Sequence, residues 1–208
     1  MNKKIIPISI GIIAVVTLAL ASTNYETPQN SVNGVDFGYS DYQTIKNNLD
    51  EKNIHMSSPT LISDSTVKQY CMYYDQYNVQ QIPSRCLTTA LLDSDGNPLG
   101  NVNIGGTHEH ALMALAVLES KPLLDSEKDA IEIVFETMIK TLVCDCWEQT
   151  QPGKFNSIKE WIDASENHYL NSGKTTLNSK ISGLAGKELI LEITKTDNSY
   201  LWTLIIVK

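Results

Sequence analysis

The stretch Thr107-His108-Glu109-His110-Ala111-Leu112-Met113-Ala114-Leu115-Ala116-Val117-Leu118 decides how this chain is read, because it can be built in two ways. Its Ala, Leu and Met content suits a helix entered at Gly106-Thr107 and stopped by Pro122. Its length argues the other way, since Gly105-Gly106 and Pro122 leave room for a strand more readily than for a full helix. We read it as a strand. Successive strand side chains alternate sides, so His108, His110, Leu112, Ala114 and Ala116 would then share one face.

The neighbours of this stretch supply the rest of a sheet and its helices. Upstream, residues 86–93 read as a strand running into Ser94-Asp95-Gly96-Asn97-Pro98, and residues 99–104 read as its return. The Asp-Gly centre makes the pair a hairpin. Downstream, residues 126–147 carry Ile131, Val134, Phe135, Met138, Leu142 and Cys146 along one broad helical face, with Ser126 and Asp129 placed as a capping box. Ser157-Ile158-Lys159-Glu160 is a full capping-box pattern. It opens a second helix to about residue 170, with Ile158, Trp161, Ile162 and Tyr169 inward and Asn171 and Gly173 as its stop. Residues 188–196 and 200–207 are dense in β-formers and joined by Asp197-Asn198-Ser199.

Before the first hairpin, Val67, Tyr70, Cys71 and Tyr74 fall on one helical face. The expectation is an α+β domain over residues 63–208, a largely antiparallel sheet with two or three packed helices. No internal repeat is visible in the sequence.

The first residues read as an export signal. Lys3 and Lys4 precede an uncharged apolar run over residues 5–22, and Ala19-Leu20-Ala21 offers a small-x-small cleavage site. The run is short against the about 20 residues of a spanning helix, and Pro7 shortens it further. Residues 1–21 are therefore expected to be a cleaved signal peptide or an N-terminal membrane anchor, and either sends the remainder across the membrane. Residues 22–62, rich in Asn, Ser, Thr, Asp and Pro, read as a polar spacer.

Composition narrows the partners. The chain has 208 residues, 42% hydrophobic and 19% charged, and a net charge of −8 with a single arginine, Arg85. An acidic exported domain of this kind is a poor match for nucleic acid or anionic lipid. The expected partner is a cell-surface protein or a small ligand, with membrane contact only through the N-terminal segment.

Cys71, Cys86, Cys144 and Cys146 all lie in the exported part, and an even count outside the cell reads as two disulfides. Cys144 and Cys146 are too close to bridge easily within a helix, so each is expected to reach Cys71 or Cys86. The competing reading makes Cys144-Asp145-Cys146 a thiolate pair that completes a metal site with His108 and His110.

On a strand, His108 and His110 could serve one Zn or Cu ion, with His55, His168, a carboxylate or a cysteine supplying further ligands. On a helix they would diverge, since each residue turns about 100°. The plainer reading, a polar loop with two surface histidines, ranks above metal because a two-histidine pattern is so unspecific.

Other motifs fail on inspection. Asp93-x-Asp95-x-Asn97 starts like a calcium loop, but Pro98 and Ile104 stand where a glycine and the closing glutamate belong. Gly173-Lys174-Thr175 resembles the end of a phosphate loop, but His168 replaces its first glycine and a helix rather than a strand precedes it. Ser65-x-x-Lys68 matches a serine acylase tetrad that arises readily by chance. Trp147, Trp161 and Trp202 sit on amphipathic elements and are expected in the core or at its edge.

The Asp95-Gly96 hairpin behind an export segment resembles extracytoplasmic sensor domains of the Cache type, over that hairpin alone and with no binding motif. The expected function is an exported or surface-tethered binding or accessory protein without catalytic activity. A Cu- or Zn-binding protein using His108 and His110 stands second, and a small exported hydrolase third.

Overall fold

The deciding stretch is a strand. Ala111–Ser120 (β7) pairs with Pro98–Gly106 (β6) on one side and with Tyr200–Val207 (β10) on the other. Its helix-like composition has a packing reason. Across the β7–β10 ladder Ala116 faces Leu204, Ala114 faces Ile206 and Leu118 faces Trp202, so two of these pairs set a small side chain against a large one. Alanine is thus selected here by its neighbours rather than by helix propensity.

The computed structural model describes residues 36–74 and 79–208. In chain order the remaining elements are Asp41–Asp50 (α1), His55–Met56 (β1), Thr60–Ile62 (β2), Val67–Tyr70 (α2), Tyr73–Tyr74 (β3), Gln80–Gln81 (β4) and Arg85–Leu92 (β5). After β7 come Lys128–Leu142 (α3), Trp147–Thr150 (α4), a 3-10 turn at Pro152–Lys154, Ile158–Ser172 (α5), Thr176–Leu184 (β8) and Lys187–Lys195 (β9). The expected α+β architecture is present: an eight-stranded antiparallel sheet, ordered β1-β5-β6-β7-β10-β9-β8 with β2 also on β5, and five helices among the described residues.

The larger sheet is built around two three-stranded meanders. A helix precedes a three-stranded meander twice, α1 before β5-β6-β7 and α5 before β8-β9-β10. The two meanders meet at their last strands, β7 and β10, which run antiparallel.

The sheet has two unequal faces. The main core holds Leu91, Val102, Ile104, Ala114, Ala116, Leu118, Leu189, Leu191, Ile193, Trp202, Leu204 and Ile206, with the inner sides of α1, α3 and α5. The alternate residues of the central strands point the other way. There Cys86, Met113 and Leu115 join Val67 and Cys71 of the α2 region in a small second core. Each fully buried Leu, Ile or Phe contributes roughly 1.5–3 kcal/mol, so the first face dominates stability.

Several expectations change. The spacer expected over 22–62 is part of the fold from residue 36 onward: Phe37, Ile45, Leu49, Ile54 and Met56 belong to the main core. The polar composition misled because only one side of α1 is buried. The helix expected from Val67 stops at Tyr70 and gives way to the β3–β4 hairpin. The α3 start lies at Lys128 without a side-chain cap, because Ser126 Oγ instead accepts from Leu123 N at 3.1 Å. The export or anchor segment, residues 1–21, and residues 22–35 of the spacer lie outside the described residues. Among the described residues no helix is long and apolar enough to cross a membrane.

The disulfide pairing is also corrected. Cys71 bonds Cys86, and Cys144 bonds Cys146, with Cα atoms 5.9 and 5.2 Å apart. The sheet explains this. Cys71 and Cys86 belong to the small core on one face, whereas Cys144 and Cys146 belong to the main core on the other. Helix α3 ends at Leu142, so Cys144 and Cys146 are free of the helical geometry that would keep them apart. Gly105, opposite Cys86 in the ladder, makes room for the first bridge: a Cβ there would lie 2.9 Å from both Cβ and Sγ of Cys71.

Candidate functional site

The two histidines singled out by sequence are not on a strand. His108 and His110 lie in the turn joining β6 to β7, ahead of Ala111. Thr107 organises that turn, its Oγ1 accepting from His110 N at 3.0 Å and from Glu109 N at 3.3 Å. Arg85 Nη1 donates to the His108 carbonyl at 3.0 Å, and Tyr39 Oη to the Thr107 carbonyl at 2.6 Å. The Arg85 guanidinium stacks 4.7 Å above the Tyr39 ring.

The proposed partners of the histidines are elsewhere. His55 binds Asp50 at 2.9 Å, His168 is on α5, and Cys144 and Cys146 are joined to each other. Among the described residues no group of three or more His, Cys, Asp or Glu is placed to hold a metal ion. Among the described residues the two-Cys, two-His set is therefore not assembled, and His108 and His110 stand in a turn rather than on the strand that motivated pairing them as a Zn or Cu site.

The strongest candidate site lies between α5 and β8, and it is built from one capped helix and one strand. Ser157 Oγ accepts from Glu160 N at 3.1 Å, as the capping pattern requires. Glu160 Oε2 reaches Asn156 N, at 2.6 Å, rather than the cap residue itself. At the other end Gly173 adopts φ 64°, the left-handed conformation that closes a helix and favours glycine. Lys195 N then donates to Thr175 O at 2.8 Å, which starts β8 on β9.

One side of α5 faces β8: Trp161, Ala164, Ser165 and His168 recur at helical spacing. Trp161 Nε1 donates to Ser179 Oγ at 2.7 Å, and Ser165 Oγ donates back to Trp161 O at 2.8 Å. Trp161 also packs on Trp147, ring centres 5.7 Å apart. This rigid floor supports a cleft of about 500 Å3 whose walls include Phe155, His168, Lys174, Thr176, Asn178 and Ser179.

The charges around the cleft are sorted. Two carboxylates of α5 turn to the side of α3, where Asp163 and Glu166 both hold Lys128, and Asp163 also meets Lys159. Burial alone would lower the Lys128 pKa, but its hydrogen bonds to Asp163 and Glu166 outweigh that and leave it raised. Among the described residues no carboxylate lines the cleft; the nearest in the ladder, Glu192, stands opposite Asn178 and accepts from its amide at 2.9 Å. Among the described residues neither His168 nor Lys174 forms an ion pair.

A second cleft, of about 310 Å3, lies beside the Cys144–Cys146 bridge and differs in kind. Its lysine, Lys140, is already held by Glu136 at 2.8 Å and by Asp145 at 3.7 Å. The Glu136 hydrogen bond leads the causes that raise its pKa, so this cation is satisfied from within.

Sequence reasoning met Lys174 and His168 only as parts of rejected motifs, and it missed β8 altogether. The signal was masked at Ser179, which points inward among Leu177 and Ile181 to accept the Trp161 indole hydrogen. A bulge between Ser182 and Leu184 then shifts the alternation by one residue. No family model, no curated protein and no solved structure matches this chain.

Proposed function

We propose that this chain is a binding protein of the exported side of the membrane, released or tethered through its N-terminal apolar segment, and that it acts without catalysis. Its ligand site is the α5–β8 cleft, and the ligand presents a carboxylate. The observation that carries this reading is the charge of that cleft. In a chain of net charge −8, a cleft of about 500 Å3 carries His168 and Lys174 on its walls and, among the described residues, no carboxylate in its lining. A concave site with a few convergent polar groups above a packed aromatic floor is the usual form of a ligand site. Export is supported by the positive, apolar and small-residue order of residues 1–21 and by the two disulfides.

The test is a titration of the isotope-labelled full chain, disulfides intact, with glutarate as a minimal dicarboxylate. Saturable shifts confined to the His168 ring and the amides of residues 174–179, lost in Lys174→Ala, are expected. Shifts spread evenly over the surface, or none at all, would overturn the assignment. Intact mass of the protein recovered from its own cells tests the location. A chain starting at Ser22 and lighter by the hydrogens lost in both bridges is expected for the released form. A full-length chain of the same oxidation state is expected for the tethered form, and reduced cysteines would overturn export.

A further inference from the structure

The residues of β8 that line the cleft are consecutive: Thr176, Leu177, Asn178 and Ser179. Side chains of a strand alternate between faces, so a cavity lying over one face would touch every second residue. Contact with four in a row places the cleft along the edge of the strand, where the main chain itself is presented.

Among the described residues that edge carries no strand. β8 is the last strand in the sheet order and pairs only with β9 among the described residues. The hydrogen bond from Lys195 N to Thr175 O fixes which residues bond inward, because antiparallel pairs alternate between bonded and non-bonded. Residues 175, 177 and 179 direct N–H and C=O toward β9. Thr176, Asn178 and Lys180 therefore direct theirs outward. Further along, the turn at Pro152–Lys154 packs against the buried side chain of Ile181, which a Cβ at Gly153 would approach to 3.8 Å. The open edge is thus a short, bounded slot over residues 176–180.

The two ends of the sheet are unlike in this respect. On the far side, β5 is covered by β1 and β2. Those end strands have two and three residues, whereas β8 has nine. The charged groups beside β8 are His168 and Lys174, with Lys180 paired to Glu188 at 2.6 Å and Glu192 bonded to the Asn178 amide.

We propose that β8 accepts an extended segment of another protein as a further strand, one whose Asp or Glu side chains alternate toward α5 and meet His168 and Lys174. This rests on the binding reading above and names its ligand. Main-chain pairing with Thr176, Asn178 and Lys180 provides affinity, and the carboxylates provide selection, the usual division of labour in strand addition. A second copy of this chain fits less well, because pairing β8 with β8 would bring a second Lys174 to the slot, while Glu188 and Glu192 are already held by Lys180 and Asn178.

The experiment uses the full chain, disulfides intact, and a short C-amidated peptide with Glu alternating with Val. Binding is followed by calorimetry and by amide exchange. The expected result is saturable binding with slowed exchange at Thr176, Asn178 and Lys180. Two further peptides carry N-methyl groups on alternate residues in opposite registers. The methyls block strand pairing from the ligand side and leave the protein untouched. One of the two should lose about tenfold or more in affinity and the other should bind as the parent does. A Lys-for-Glu peptide should not bind, and Asn178→Pro, which removes an outward donor at an edge position, should weaken the parent peptide. Equal binding of both methylated peptides, equal binding of the Lys peptide, or a requirement for a free C-terminus would overturn the proposal. If glutarate shifts His168 while every peptide fails, strand addition is wrong and the binding cleft stands. If neither binds, both fall.

Discussion

The two meanders of this sheet are built alike and finished differently. In the first, the chain leaves α1, lays β1 and β2 along the outer side of β5, and then makes an excursion pinned to the second face by Cys71–Cys86. In the second, α5 passes to β8 through Gly173, Lys174 and Thr175, and among the described residues no strand pairs with the outer side of β8. One end finishes in two short strands and is stapled covalently. The other is open, with a helix, a tryptophan and a lysine beside it. An open edge is a hazard that sheets usually blunt by charge, bulges or brevity. Here Lys180, the bulge before Leu184 and the Pro152–Lys154 turn confine the exposed portion to a few residues. The same arrangement turns a hazard into a slot.

If the second half depends on α5 packing and the first on its staple, their most damaging substitutions should differ in kind. Trp161→Ala should cost about 3–5 kcal/mol, since it removes a ring that is 1% exposed and touches both Trp147 and Ser179. Denaturant unfolding measures this, and a loss under about 1 kcal/mol would show that α5 is not what holds β8.

Removing the first bridge in Cys71→Ala/Cys86→Ala should cost about 3 kcal/mol, because it frees a loop spanning 15 residues in the unfolded chain. Removing Cys144–Cys146 in the same way should cost less, since that bridge spans a separation of 2. Comparable losses in the two double variants would break the account of the staple.

Helix capping sharpens the comparison at smaller scale. Ser157→Ala should cost about 1 kcal/mol, as its hydroxyl accepts from Glu160 N. Ser40→Ala, at the start of α1, should be nearly silent, because Ser40 makes no side-chain cap bond. The two melting shifts, taken side by side, check it.

The smallest effect concerns the first hairpin in acid. The Asn97 side chain, then backbone amides, hydrogen-bond the Asp93 carboxylate and hold its pKa below the ordinary 3.8. A lowered folded value means that this contribution is complete above the unfolded value and is lost as pH falls through the folded one. Stability should therefore drop on acidification below that range, and Asp93→Asn should lose part of the acid dependence. An unchanged pH profile in that variant would show that the turn is not carboxylate-held.

Much of the second half was legible because its signals are local. The Ser157 cap, the glycine stop at Gly173 and the β-dense run over residues 188–207 each act on neighbouring residues, and all three are in place. The Asp95-Gly96 turn is legible for the same reason. What escaped notice depends on contacts distant in sequence. Ser179 breaks the pattern of β8 because Trp161 needs an acceptor there, and α1 reads as spacer because its few core residues are diluted by a solvated face. The cleft was legible only in fragments: Lys174 and His168 were noticed, but their shared position was not.

The sequence by itself determined the class of the fold, the main helices, two of the hairpins and the tryptophan core, since periodicity, caps and turn residues work over a few residues of chain. The tertiary structure alone decided which cysteines meet, because the sheet stands between the two pairs. It also decided that His108 and His110 end in a turn and that β8 has an open edge beside His168 and Lys174. Those outcomes depend on which face and which edge an element occupies, and no local stretch of sequence carries that information.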